Sequence, residues 1–216
     1  DSKQIDISAV IVTWNAQELA RSCLASLLHS PLPFTMEVIV VDNASQDGVA
    51  EMIATAFPGV TLIRNRDNAG FARANNQGIA IAGGRYVCLI NSDVEVPEKC
   101  LPDMLNYMAA NPSVGLLGPK MLCPDGSIGD SAMRWPSVSN ALWRALSFDT
   151  IPGISKYILG ALMRDFRYNR IADVEVLTGW FWMVRREALT KVGGLDEQFF
   201  MYGEDIDLSY RITLAG

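Results

Sequence analysis

Three apolar runs of strand length each break off into polar residues, and this repeated ending constrains the fold more than any other feature of the chain. The clearest is Tyr86-Val87-Cys88-Leu89-Ile90, followed at once by Asn91-Ser92-Asp93. A buried strand that ends this way sets a carboxylate at the carboxyl edge of a sheet, where open α/β sheets bind ligands. The run 7–13 closes in Thr13-Trp14-Asn15, and 37–41 runs into Asp42-Asn43-Ala44-Ser45. Helical spacing lies between them: residues 16–29 place Leu19, Cys23, Leu24, Leu27 and Leu28 on one face, 49–57 read as helix, and 70–82 form an Ala- and Asn-rich helix stopped by Gly83-Gly84. Residues 60–63 and 114–121 read as further strands and 101–110 as a further helix. Such alternation implies right-handed crossovers and a mostly parallel sheet flanked by helices, which gathers the three polar endings along one edge. Taken singly, each ending is better explained as a turn or a cap than as a ligand, Asp93 for a helix starting near Pro97-Glu98 included; three together point to a nucleotide site.

A length of 216 residues fits one large α/β domain or two small ones. The net charge of −6 argues against a nucleic-acid partner held through phosphates. Basic residues gather at Arg134, Arg144, Lys156, Arg164, Arg167 and Arg170, which suits either an anionic acceptor, a membrane surface or a solvated helix face. Cys23, Cys88, Cys100 and Cys123 make no C-x-x-C pair and suit a reducing compartment. His29 is the only histidine and sits at a helix end, so a His-based zinc site or Ser-His-Asp triad is not expected. The apolar run 7–12 is too short for a signal core or a membrane span, and a cytoplasmic location is expected.

The second half changes character. Pro124-Asp125-Gly126 reads as a turn, and residues 131–170 carry Trp135, Trp143, Phe148, Tyr157, Phe166 and Tyr168 among basic residues. This is either a core stripe or an insert over the active edge. Residues 174–184 read as a strand interrupted by Thr178-Gly179, and 201–211 enter a helix. No Gly-x-Gly-x-x-Gly follows the first strand and no Walker loop occurs, so metal and side chains must hold any phosphate. Glu204-Asp205-Ile206-Asp207 packs three carboxylates into four residues. They suit a general base, or a helix start with an i,i+4 pair between Asp207 and Arg211.

Read together, these segments resemble family-2 inverting glycosyltransferases. Val12-Thr13-Trp14-Asn15 and the stretch from Val40 to Gly48 are similar to the nucleotide-sugar half of that family. Asn68-Ala69-Gly70-Phe71 with Asn75-Asn76-Gln77-Gly78 resembles the N-x-G-F-x-x-x-N-N-x-G signature of its rhamnosyltransferase-like branch, and Asn91-Ser92-Asp93 that branch's variant of D-x-D. Thr178-Gly179, Met183-Val184-Arg185-Arg186 and the segment 193–200 resemble the acceptor side, and Gly203-Glu204-Asp205 the motif that carries the base.

The resemblance implies a GT-A fold: a Rossmann-like, mostly parallel central sheet flanked by helices, with a smaller acceptor-side half. Residues 1–120 are the nucleotide-sugar half and 121–216 the acceptor and base half of one GT-A domain. It implies donor contacts at Thr13, Asn15, Asp42, Asn43, Ser45, Asn68, Gly70, Asn76, Asn91 and Ser92, and a divalent cation, Mg²⁺ or Mn²⁺, at Asp93. Gly179, Trp180 and Glu204 fall on the acceptor side, and Asp205 is the base. The implied reaction moves a sugar from a dTDP- or UDP-linked donor, with dTDP-rhamnose a candidate, to a hydroxyl of a saccharide or lipid-linked saccharide. Inversion, a role in cell-surface polysaccharide or glycolipid synthesis, and peripheral contact with the inner face of the plasma membrane follow from the same resemblance.

Two departures stand out. Asn91 replaces the first acid of D-x-D, which leaves one ionised ligand and points to metal affinity that depends on the diphosphate. The chain also stops within the helix after the base, so a truncated C-terminus is expected. A non-catalytic nucleotide-sugar-binding module and a membrane-associated scaffold remain as alternatives. So does a sugar-1-phosphate nucleotidyltransferase, although Thr13-Trp14-Asn15-Ala16 is not its Gly-rich basic loop.

Overall fold

The β-branched run at the start of the chain becomes strand β1 (Ile7–Thr13), paired on both sides by parallel neighbours. A computed structural model describes residues 4–29, 32–136 and 168–216. On one side of β1 lie β2 (Met36–Asp42) and then β3 (Thr61–Arg64), and on the other β4 (Tyr86–Asn91), all parallel. Antiparallel β8 (Phe181–Arg185) adds to β4, and short β5 (Leu116–Leu117) adds to β8, giving the order β3-β2-β1-β4-β8-β5. The sheet is thus mostly parallel, as expected, with an antiparallel margin.

Two expected strands are shorter than the apolar runs suggest. Within 114–121 only Leu116–Leu117 pairs, because Gly118-Pro119 follows and proline has no N–H to give a ladder. The stretch 174–184 divides at Thr178-Gly179 into β7 (Val176–Leu177) and β8, which belong to different sheets.

Helices α1 (Gln17–Leu28), α2 (Val49–Ala56) and α4 (Cys100–Ala110) bury Cys23, Leu24, Ile53, Leu101 and Met108 in one core with Ile7, Ala9, Ile11, Cys88, Phe181 and Met183. Alternate residues face opposite sides of a strand, so Val10 belongs to the other face. There α3 (Phe71–Ile81) packs so closely that a Cβ on Gly78 would lie 2.3 Å from Val10 Cγ1. Helices α5 (Arg186–Val192) and α6 (Glu204–Ala215) complete the elements described in this unit. Buried Arg185 anchors β8: Nη2 donates to Met108 O at 2.8 Å and Asn111 O at 3.2 Å, placing a cation at the carboxyl end of α4. The expected Asp207–Arg211 pair is present at 2.5 Å.

These elements form one unit, residues 1–119 with 179–216; residues 120–178 form a second. Within the second unit β6 (Ala132–Met133) pairs antiparallel with β7, and the Tyr168 hydroxyl accepts from the N–H groups of Ser131 and Ala132. Pro124-Asp125-Gly126 makes the expected turn, with Cys123 N–H on Ser127 O at 2.9 Å. Trp143, Phe148, Tyr157, Phe166 and the basic residues Arg144, Lys156, Arg164 and Arg167 lie outside the described residues. Among the described residues no helix is long and apolar enough to cross a membrane.

Candidate active site

The parallel register brings the three polar endings to one level. Thr13 is aligned with Asp42, and Val12 with Asn91, so the ends of β2, β1 and β4 sit side by side. At a strand spacing of about 4.8 Å the three span roughly 10 Å. Thr13 and Asp42 are buried, and Thr13 Oγ1 has no hydrogen-bond partner among the described residues. Asp42 Oδ1 accepts the Ser45 N–H at 3.0 Å, which orients the carboxylate.

The loops after β1 and β2 interlock. Asn15 N–H donates to Ser45 Oγ at 2.8 Å, and Asn15 Oδ1 accepts Gln46 N–H at 2.8 Å. Asp47 reaches both helix starts, accepting Gln17 N–H at 2.8 Å and Val49 N–H at 3.2 Å, where a carboxylate complements the helix dipoles. Asn15 and Ala44 take left-handed backbone, at φ 48° and 66°.

Asn43 is buried and holds the β3–α3 loop. Its Nδ2 donates to Asn68 Oδ1 at 2.8 Å and Gly70 O at 3.2 Å; its Oδ1 accepts from Asn65 Nδ2 and Ala69 N–H, both at 3.0 Å. Asn68 Oδ1 also accepts Gly70 N–H at 3.0 Å. Gly70 has φ 83° and lies against Phe200: an added Cβ would meet its carbonyl oxygen at 2.7 Å. Asn76, further along α3, is bonded to Leu195 and Glu197.

Beyond β4, helix α4 starts only at Cys100 with Lys99 as its N-cap, so Asp93 does not cap it. Asn91 and Ser92 are partly exposed and Asp93 is exposed. The antiparallel pairing of β4 with β8 continues past Ile90–Phe181 as a bond from Asn91 N–H to Trp180 O at 2.9 Å. Gly179 in turn abuts the start of α6: its Cβ position is 3.6 Å from Asp205 Cβ and 3.4 Å from the Trp182 ring. Asn91, Trp180, Gly179 and Asp205 therefore form one continuous rim. Asp205 Oδ1 accepts Ile206 N–H at 2.9 Å.

Glu204 is buried, and its Oε2 has no hydrogen-bond partner among the described residues. Burial pushes its carboxyl above the ordinary value; the charge of Asp205 adds to this, and backbone N–H groups at Glu204 and Tyr202 oppose it. The Cys23 thiol is pushed up to about 12, chiefly by burial and then by Asp93 and Glu95, and Cys100 to about 11 by burial and Asp103. Burial also raises Cys88, so none of these three thiols is a nucleophile at neutral pH.

Among the described residues no three His, Cys, Asp or Glu side chains cluster into a preformed metal cage. One exposed carboxylate with a hydroxyl and an amide beside it suits a hard cation that takes its other oxygens from a diphosphate and water. Sequence reasoning did not find the roles of Asn65, Gln77 and Phe200; the two amides bond each other at 2.9 and 3.0 Å and offered no signal beyond the Asn-rich signature.

The sequence model of "Glycosyl transferase family 2" matches residues 8–193. The N-acetylglucosaminyl-diphospho-decaprenol L-rhamnosyltransferase of Mycobacterium tuberculosis is 31% identical over 97% of this chain and 71% of its own length. S. aureus TarS 1-349, solved in complex with UDP, superposes with a TM-score of 0.69 at 18% identity over 98% of this chain. The mannosyltransferase PcManGT from Pyrobaculum calidifontis, in complex with GDP-Man and Mn²⁺, gives 0.68 at 19% identity over 100%. This chain spans 56% and 54% of those two solved chains. The chain belongs to glycosyl transferase family 2, a family of glycosyltransferase enzymes, and its fold is the GT-A fold that the sequence motifs imply.

Proposed function

We propose that this chain transfers a sugar from a dTDP- or UDP-linked donor to the hydroxyl of a saccharide acceptor, with inversion, in the synthesis of a cell-surface polysaccharide or glycolipid. The observation that carries this reading is the rim joining Asn91 to Asp205 through Trp180 and Gly179, because it sets a candidate base beside a candidate diphosphate site. Residues 1–120 supply the donor half on this reading, and 121–216 the acceptor half with the base. The mycobacterial relative, an L-rhamnosyltransferase named for a decaprenol-linked acceptor, supports an L-rhamnosyl donor and a lipid-linked acceptor here. Such an acceptor brings the protein to the inner face of the plasma membrane as a peripheral partner.

The chemistry follows from charge and proton demands. Asp42 accepts the imide N–H of a thymine or uracil, a charge-assisted bond that an amide oxygen makes less strongly. Asp93, flanked by Asn91 and Ser92, would hold Mg²⁺ or Mn²⁺, which when bound neutralises charge on the leaving diphosphate. Asp205 takes the acceptor's hydroxyl proton as the new C–O bond forms and the bond to the diphosphate breaks.

Asp205→Asn keeps shape and hydrogen bonding but removes basicity. It should lower transfer by ~10²-fold or more and leave nucleotide affinity intact. A thermal-shift panel of UDP- and dTDP-sugars with each metal selects the donor, since a ligand of the native state raises apparent stability. Near-normal transfer by Asp205→Asn, with Glu204→Gln inactive, would overturn the assignment; donor binding without any turnover by the wild type would mark a binding module.

A further inference from the structure

The segment 193–203 links α5 to the turn that presents Glu204 and Asp205, and it touches α3 at two places. At the first, Asn76 Nδ2 donates to Leu195 O at 2.8 Å and to Glu197 Oε1 at 3.1 Å, while Asn76 Oδ1 accepts Leu195 N–H at 3.0 Å. The amide thus grips both polar groups of one residue's backbone. At the second, Phe71 N–H donates to Phe200 O at 2.7 Å, with Gly70 packed on the same residue.

Between the second clamp and the base the chain makes a tight left-handed passage, Tyr202 at φ 69° and Gly203 at φ 97°. A bulky side chain holds that conformation only where its surroundings over-determine it. Tyr202 is 83% exposed, so its side chain does not supply the constraint. The constraint lies in the backbone bonds on either side: Phe71 to Phe200 before it, and Asp207 N–H to Gly203 O at 3.0 Å after it. Helix α3 itself grows out of the 65–70 loop that Asn43 holds beside Asp42. An unbroken run of hydrogen bonds and helix therefore connects the donor edge to the base.

We propose that Asn76 is a positioning residue for Asp205: α3 is the template that fixes the base-bearing segment against the donor edge, and Asn76 is its forward clamp rather than a donor contact. The inference rests on the reading of Asp205 as the base. It explains why an amide occupies position 76. A carboxylate there would face the Leu195 carbonyl and Glu197, and an aliphatic residue would leave both polar groups of Leu195 without partners.

Hydrogen exchange of Asn76→Ala and Asn76→Asp, each with and without UDP or TDP and Mn²⁺, tests it. Asn76→Ala should speed exchange at Leu195 and across 193–198 by roughly tenfold or more, Asn76→Asp, which keeps an acceptor for the Leu195 N–H, should speed it less, and both should leave 65–70 as in the wild type. In the wild type nucleotide should slow exchange in 193–198; in both variants that protection should vanish while Kd stays within about threefold. A merely stabilising role would raise exchange throughout the unit and would not remove nucleotide-dependent protection selectively. With the donor that the wild type turns over, kcat should fall and donor KM should hold. A loss of nucleotide affinity of about tenfold would make Asn76 a donor contact and overturn the proposal, as would unchanged exchange at Leu195. If the wild type binds neither nucleotide, the proposed function fails, and exchange at Leu195 in the free protein still decides whether the clamp exists.

Discussion

Replacing Asn43 with alanine tests whether this buried amide serves the loop or the ligand. Its side chain makes four hydrogen bonds, to Asn65, Asn68, Ala69 and Gly70. Each net bond contributes about 1 kcal/mol, and a buried group left unpaired costs about 1–3. Three partners keep a second bond: Asn65 to Gln77, Asn68 Oδ1 to Gly70 N–H, and Gly70 O to Ala74 N–H. Only the Ala69 N–H depends on Asn43 alone among the bonds described. The loss should therefore fall at about 2–4 kcal/mol rather than at the sum of four full penalties. For a chain of this length that is a fall of roughly 4–16 °C in Tm. Urea denaturation with linear extrapolation reads the same quantity independently. Asn43→Asp sharpens the test, because it keeps the acceptor for Ala69 and replaces the donor with an oxygen facing Asn68 Oδ1 and Gly70 O. It should match the alanine variant at neutral pH and recover part of the loss in acid, where a protonated carboxyl can donate again. A change below about 0.5 kcal/mol in Asn43→Ala, with nucleotide affinity abolished, would refute the reasoning and make Asn43 a direct ligand contact.

Gly70→Ala should lose about 2–6 kcal/mol, from roughly 1–3 for a positive-φ, extended-ψ backbone that only glycine readily adopts and 1–3 for the collision with Phe200; wild-type stability would show that the two loops part freely. For Glu204, the raised carboxyl value means that the proton-bound form suits the folded state. Its contribution is present below the ordinary value of 4.5 and is lost as pH rises through the raised value, so Glu204→Gln should gain stability relative to wild type above that point; a pH-independent difference in Tm would refute it.

Much of the sheet was legible because burial on both faces leaves a plain mark: near-continuous apolar runs such as Ala9 to Val12 and Val38 to Val41 can hardly be anything but central strands. Parallel pairing then followed from the helices between them, and the shared edge followed from parallel pairing. The direction of β8 was not legible, since Phe181-Trp182-Met183-Val184 reads the same for a parallel or an antiparallel neighbour. That direction matters, because only the antiparallel bond from Asn91 to Trp180 carries the chain back past Gly179 to Asp205. The asparagines were the other blind spot. An amide presents one donor group and one acceptor with equal ease to a ligand or to backbone, so nothing in the motif separates the two.

The structure gives those amides a common logic. Asn43, Asn65, Asn68 and Asn76 all tie loops together with uncharged side chains. On the proposed reading the ligand is a diphosphate, and carboxylates used as ties near its edge would repel it. Lysine or arginine ties would bind it in competing positions. Amides do neither, since they satisfy both backbone donors and acceptors without adding to the local field. Of the carboxylates around the edge, the proposed chemistry directs Asp42 at the nucleobase, Asp93 at the cation and Asp205 at the acceptor proton, while Asp47 is a tie whose charge two helix N-termini offset. Exchanging Asn43, Asn65 or Asn68 for aspartate should therefore carry two separable effects, a broken tie and an added negative charge. Only the second should weaken as salt is raised, because screening acts on the charge and leaves the lost donor unrepaired.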